Sequence, residues 1–293
     1  KAQTRAETQI RKTRRRQTGT TSVIRAILFL LLLTLAAPAQ AIEIDGKFIQ
    51  GGMATGKVAP GSTVTLDGEA VAVAPDGSFL IGFGRNAKKK AVLTATPPDG
   101  APETLTLAIE RRSYKIQRID GLPERKVTPR SPEDLARIRD DRAKIVGVRA
   151  RRTLKTFFDT GFIWPVTGRI SGVFGSQRIL NGKPRSPHNG VDVAAPKGTP
   201  VKAMGDGTVA LVHPGMFFSG KTVMIDHGLG LTSVYIHMDT TTVTQGDFVM
   251  KGAQIGTVGM TGRATGPHLH WGVSWFNTHL DPALLVGPQS PGG

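Results

Sequence analysis

The sequence predicts a mainly β chain, and three observations carry that prediction. Short β-branched or apolar runs recur from Ile42 onward, turn-forming pairs such as Pro60-Gly61, Asp67-Gly68 and Asp76-Gly77 separate them, and only one segment has helical periodicity. A length of 293 residues accommodates about two domains. The expected organisation is a leader at 1–41, a small β-sandwich of immunoglobulin-like character at 42–112, a basic linker at 113–159, an antiparallel β domain at 160–287 and a tail at 288–293.

The leader reads as a secretory signal peptide. Arg14, Arg15 and Arg16 supply the charge, Ile27 to Ala37 is almost wholly apolar, and Ala39-Gln40-Ala41 is a small-x-small cleavage site. The apolar stretch is shorter than the roughly 20 residues a span requires. An exported, periplasmic or envelope-associated protein is therefore expected. The chain has no cysteine, so disulfides and thiolate chemistry are excluded, and any metal must be held by His, Asp or Glu.

In the first β region, strands are expected at Lys47–Gln50, Ser62–Leu66, Ala70–Val73, Ser78–Phe83, Ala91–Thr96 and Thr104–Ile109. Residues 113–130, with Pro123 and Pro129, read as an extended connection. A helix is predicted over about 132–151: Ser131 caps it, Pro132 suits its first position, and Glu133 and Asp134 lie where the helix dipole favours anions. Leu135, Ile138, Ile145 and Val146 form its apolar stripe, and Glu133/Arg137 and Asp140/Lys144 are i,i+4 pairs. Beyond Thr160, strands are expected at Val201–Ala203, Gly207–Val212, Thr222–Asp226, Leu231–His237, Gln254–Gly259 and His268–Trp275.

The formal charge of +16 suggests a polyanion partner, but its distribution argues against nucleic acid. Net charge is −2 over 42–110, +9 over 111–155 and +2 over 156–293, and no aromatic-interleaved basic surface accompanies it. Residues 111–155 read either as a solvated packing helix or as a basic handle for an acidic envelope surface.

Five residues stand out as chemistry: His188, Asp192, His237, His268 and His270. Two neutral imidazoles and one carboxylate fill three corners of a tetrahedral zinc site and leave the fourth open, as a catalytic site requires. His268 and His270, two apart in a strand, share a face about 6.5 to 7 Å apart. That spacing suits one residue ligating the ion and the other contacting water or substrate. His188 and Asp192 can reach one ion only if the chain bends at Asn189-Gly190. Among the other histidines, His213, His227 and His279 read as turn or loop residues.

His188-x-Gly190-Val191-Asp192, then Pro196-x-Gly198-Thr199-Pro200-Val201, Ile225-Asp226-His227-Gly228, Tyr235-x-His237 and Gly256-x-Val258-Gly259-x-Thr261-Gly262-x-x-Thr265-Gly266-Pro267-His268-Leu269-His270 are similar to the motifs of lysostaphin/LytM-type zinc endopeptidases. The resemblance spans about residues 162–286 and departs mildly at Trp271-Gly272-Val273. It implies one zinc per chain on His188, Asp192 and His270, with His237 and His268 as the catalytic pair. It also implies hydrolysis of peptide cross-links between peptidoglycan stem peptides. Tyr235, two residues before His237, reads either as sharing its face and touching substrate or transition state, or as a strand aromatic packed against the sheet. The alternative is a non-catalytic regulator of cell-wall amidases or a peptidoglycan-binding module of the same fold.

Overall fold

Seven strands near the start of the chain form two antiparallel sheets. Glu43–Gly46, Met53–Lys57 and Ser78–Gly82 make one; Glu69–Val71, Thr63–Leu66, Lys90–Thr96 and Glu103–Ala108, in that order, make the other. The first, second and fifth strands share one sheet as in an immunoglobulin constant-type sandwich, but the fourth pairs with the third in the other sheet, where that type puts it beside the fifth. Their inner faces meet in one core that includes Val64, Phe79, Ile81, Leu93 and Leu107. This is a computed structural model, and it describes residues 42–289. The signal-peptide expectation for 1–41 lies outside those residues.

Two corrections concern this sandwich. Met53–Lys57 carries no β-branched pair and contains Gly56, so its sequence does not read as a strand. Gly56 is nevertheless required, because a Cβ there would lie 2.3 Å from the Phe79 ring on the neighbouring strand. Lys47–Gln50, expected as a strand, contributes only an isolated bridge between Ile49 and Glu110.

The segment 113–130 is not merely an extended connection. Ile116–Ile119 pairs in parallel with Gln177–Leu180, which pairs with Lys183–Pro184, and Glu124–Val127 forms a short helix, α1. The long helix, α2, spans Pro132–Arg149, and Ser131 Oγ accepts the Asp134 N–H as expected of a cap. Its buried side differs from the apolar stripe read from sequence. Leu135 and Val146 are exposed, whereas Asp134, Asp141 and Val148 are buried. Asp134 takes a two-pronged ion pair from Arg125, and Asp141 Oδ2 accepts the Phe217 N–H at 2.7 Å. Polar contacts thus join hydrophobic packing on this face, where Ile145 and Val148 meet Ala210, Leu211 and Met216, and periodicity of apolar residues reveals only the second.

The large antiparallel sheet has ten strands. Its main path runs Phe248–Val249, Gly207–Met216, Gly220–Gly228, Leu231–Thr241, His268–Trp275, Val191–Ala194, Arg169–Gly172. Gln254–Val258 pairs with Leu231–Thr241 and Pro200–Lys202, and Thr278–Leu280 extends the edge of His268–Trp275. One face buries Val191, Val193, Tyr235, Leu269, Trp271 and Val273. Met53, Ala74 and Leu80 of the sandwich belong to this same core, so the described residues form one compact unit.

Candidate metal centre

The face of the large sheet opposite its core carries the five candidate residues. Asp192 stands opposite His270 in the ladder, and Ala194 opposite His268, so alternation sends Asp192, His268 and His270 to one side while Val191, Val193, Leu269 and Trp271 go to the other. His188 enters from the preceding loop, where its N–H donates to the Ser176 carbonyl and its own carbonyl accepts from Gly175. Gly190 allows the bend to be tight. A Cβ there would stand 2.4 Å from the Trp271 carbonyl oxygen and 2.9 Å from the His270 ring.

His237 reaches the same face by a different device. Simple alternation would put it beside Tyr235 in the core. Instead Tyr235 pairs with Val223 and Met238 with Lys221, leaving one extra residue on the Leu231–Thr241 strand. His237 carries the excess at φ 64°, a left-handed conformation rare for a residue with a Cβ, and its N–H is held by the Ser219 carbonyl at 2.8 Å. The bulge turns the imidazole towards His268, with ring centroids 4.8 Å apart.

Three donor atoms converge. His188 Nε2 lies 3.0 Å from Asp192 Oδ1, His270 Nδ1 lies 2.7 Å from the same oxygen, and the two nitrogens are 2.9 Å apart. His188 Nδ1 donates to the Val173 carbonyl at 3.1 Å, which turns Nε2 towards the cluster. The hydrogen on His270 Nδ1 would otherwise have to serve both a carboxylate oxygen and this imidazole. Such a cluster fits a divalent cation. Corners of a tetrahedral zinc site stand ~3.3 Å apart, a few tenths wider than here.

The electrostatics agree with that reading. Burial pushes the Asp192 carboxyl up, but hydrogen bonds and charge from His188 and His270 outweigh it and hold the group well below the usual carboxylate range. Burial pushes His270 down to about 4 despite its hydrogen bond to Asp192. Burial, with His268 and His270 nearby, pushes His237 down to about 3. His237 Nδ1–H donates to the Thr261 carbonyl at 2.7 Å and His268 Nδ1–H to the Gly266 carbonyl at 2.8 Å. Each therefore leaves its Nε2 free of backbone partners.

Sequence reasoning missed the residues that brace this centre. Arg178 holds the second oxygen of Asp192 at 2.5 Å, and its Nε reaches Gln117 Oε1 at 3.3 Å on the linker strand. Gly172 lies beside the same carboxylate, where a Cβ would come within 2.4 Å of Oδ2. No local motif marks either residue, because both act through strand neighbours distant in sequence. Spaces of about 570 Å³ and 400 Å³ meet at His270, the smaller lined also by His188, His237 and Arg263.

Other expectations need correction. Tyr235 does not face the site: it is fully buried, with its hydroxyl 2.8 Å from the Met204 N–H and 3.1 Å from Ser233 Oγ, on the core side of the bulge. His227 is no mere turn residue. Its Nδ1–H donates to the Asp206 carbonyl at 2.6 Å and its Nε2 faces Ser233 Oγ at 2.8 Å inside the core. His279 lies on a strand rather than in a loop. Within the basic segment 111–155, Arg112 pairs with Asp281, Arg125 with Asp134, and Lys126 donates to the Phe217 carbonyl.

Comparison with known proteins places this geometry. The model of peptidase family M23 matches residues 186–282. A crystal structure of a peptidase M23 protein from Pseudomonas aeruginosa is 30% identical, with a TM-score of 0.61 over 82% of this chain and 96% of that one. The catalytic domain of lysostaphin from Staphylococcus simulans is also 30% identical, over 39% of this chain and 89% of that domain, with a TM-score of 0.36. The peptidoglycan DD-endopeptidase ShyA of Vibrio cholerae is 43% identical over 106 residues, which are 35% of this chain and 24% of ShyA. The chain thus spans about a quarter of the length of that curated relative. With the family model matched over 186–282 and the Pseudomonas aeruginosa structure covered over 96% of its length at 30% identity, the chain belongs to peptidase family M23.

Proposed function

We propose that the chain is an exported, zinc-dependent endopeptidase that hydrolyses a peptide cross-link of bacterial peptidoglycan, with His188, Asp192 and His270 holding the metal and His237 and His268 handling protons. The observation that carries this reading is the convergence of three buried donor atoms beside two imidazoles whose Nε2 atoms are free. The similarity to a peptidoglycan DD-endopeptidase supports the choice of substrate. The leader at 1–41 supports export, and the division at 42–112, 113–159 and 160–287 separates sandwich, linker and peptidase parts.

When bound, zinc supplies a Lewis acid for the scissile carbonyl and lowers the pKa of water towards neutrality. The rest of the chemistry falls to the chain. His237 is neutral at neutral pH because burial holds its pKa down, and with Nδ1–H on the Thr261 carbonyl its Nε2 presents a lone pair to the site. The carbonyl of Thr261 fixes the tautomer and the ring plane. His268 Nε2, 4.0 Å from Asp192 Oδ1, is oriented in the same way by Gly266. A proton taken from the attacking water by this pair is then available to the departing amine, and each ring can hydrogen-bond the tetrahedral intermediate while it is protonated.

The test is digestion of a purified cross-linked muropeptide dimer followed by mass spectrometry. Wild-type protein should release monomers with a new amine terminus, and His237→Ala and His268→Ala should not. An unchanged dimer after prolonged digestion with the wild type would overturn the peptidase reading.

A further inference from the structure

The cavity of about 570 Å³ that ends at His270 is walled on its far side by α2, which lies outside residues 186–282 matched by the family model. Arg149, the last residue of that helix, lines it. The guanidinium Nε is shielded from solvent without a hydrogen-bond partner, and the side chain makes no ion pair among the described residues. Burial lowers its pKa to about 10, so it remains a cation at neutral pH. Buried donors are ordinarily satisfied, and an orphaned one calls for an explanation.

The nearby groups do not neutralise it. Asp141 lines the same cavity, but one carboxylate oxygen accepts the Phe217 N–H and the other faces His213 at 3.9 Å. His279, also in the lining, is held neutral by burial and by the charge of Arg149. Arg142 adds a second positive charge to the same wall. A position at the helix C-terminus favours a cation there but leaves the shielded N–H unpaired.

We propose that this cavity is a carboxylate-binding subsite of the substrate groove, in which Arg149 receives an acidic group of a peptide lying across His270. It rests on the peptidase reading above and adds a substrate preference to it. A guanidinium offers a planar fork that matches a carboxylate with two parallel hydrogen bonds, and a partly desolvated fork strengthens both. The peptide's carboxylate supplies the counter-charge that the protein withholds, and it meets the Nη edge of the fork, because Nε is sealed by the protein. A peptide carrying an amide in that place supplies an acceptor but no charge, so the chain should discriminate between acidic and amidated stem peptides.

The experiment measures binding and turnover on the full chain. The probes are one cross-linked muropeptide dimer with free stem-peptide carboxylates and the same dimer fully amidated. In the zinc-loaded His237→Ala background, the acid form should bind at least tenfold more tightly than the amide. Arg149→Gln in that background should bring the two within twofold, and Arg149→Lys should keep part of the preference. With His237 restored, Arg149→Gln should raise KM for the acid form about tenfold with little change in kcat. Equal binding of acid and amide by the parent, or a tenfold preference that survives Arg149→Gln, overturns the subsite. Should Arg149→Gln fail to fold, the acid-to-amide ratio of the parent together with Arg149→Lys decides the matter. Preferential binding of the acid form without cleavage would defeat the peptidase reading and leave the subsite standing, whereas no binding of either form defeats both.

Discussion

Replacing Gly172 with alanine directs a methyl group at the carboxylate of Asp192 and at little else. The strand Arg169–Gly172 runs beside Val191–Ala194, with Gly172 opposite Asp192, and Gly172 does not occupy the left-handed region. An alanine backbone is therefore tolerated, and the cost is confined to the side-chain clash. A Cβ would stand 2.4 Å from Asp192 Oδ2, 2.9 Å from Cγ and 3.1 Å from the aspartate Cβ. Ordinary contacts are ~3.5 Å, so the carboxylate must withdraw by about 1 Å. It cannot do so freely: Arg178 holds Oδ2 at 2.5 Å, and His270 and His188 hold Oδ1 at 2.7 Å and 3.0 Å. Overpacking of this kind costs roughly 1–3 kcal/mol, offset by about 0.4–1 kcal/mol from the stiffer unfolded chain. A net loss of about 1–2 kcal/mol is expected in urea unfolding of the metal-free protein. Misplacing a ligand and its bracing partner typically weakens metal binding ~10–100-fold, which is about 1.4–2.7 kcal/mol. Competition with a chromophoric zinc chelator measures that directly. Wild-type zinc affinity in Gly172→Ala would refute the assignment of Asp192 as a ligand braced from both sides.

The other expectations follow from the same geometry. His237→Ala and His268→Ala should each retain close to one zinc per chain, read by elemental analysis, while kcat on a muropeptide dimer falls roughly 10²–10⁴-fold. Tyr235→Phe should cost about 1–3 kcal/mol of stability, because it strips a buried partner from Met204 N–H and Ser233, yet leave kcat within twofold. A large loss of kcat at unchanged stability would restore Tyr235 to the site. Burial holds His227 at about 4, below its unfolded value of ~6.5, so the neutral ring stabilises the fold fully above pH 6.5 and the contribution is lost as pH falls towards 4. That contribution is on the order of 3 kcal/mol. Denaturant unfolding of His227→Gln across pH 7 to 4 should show a flatter pH dependence than the wild type, and an equal slope would contradict it.

Legibility in the sequence varied with how local the cause was. His268–Trp275 was readable to its bounds because one strand alternates cleanly between a polar face and a core face. The proposed ligand Asp192 was readable only through the wider motif, since its strand Val191–Ala194 is short and its approach to His188 depends on a bend at Gly190. Of the two readings of Tyr235, the packed aromatic holds for a definite reason: period-two reasoning puts residues 235 and 237 on one face, and the bulge at His237 breaks the period. In α2 the capping residues were legible but the docking face only in part: Ile145 packs as its stripe implies, whereas the buried aspartates Asp134 and Asp141 carry no apolar signal. Arg178, Gln117 and Gly172 left no trace in the sequence pattern. Each acquires its meaning from a strand pairing that joins positions far apart in the chain.

The central claim is that a single zinc held by His188, Asp192 and His270 makes this chain a peptidase. The most direct measurement strips the metal from the wild-type protein with a chelator and then titrates zinc back while following cleavage of a cross-linked muropeptide dimer. Activity should vanish on stripping and return linearly to a plateau at one zinc per chain, with no recovery in His188→Ala. Full cleavage by the stripped protein, or a plateau reached equally by His188→Ala, would contradict it.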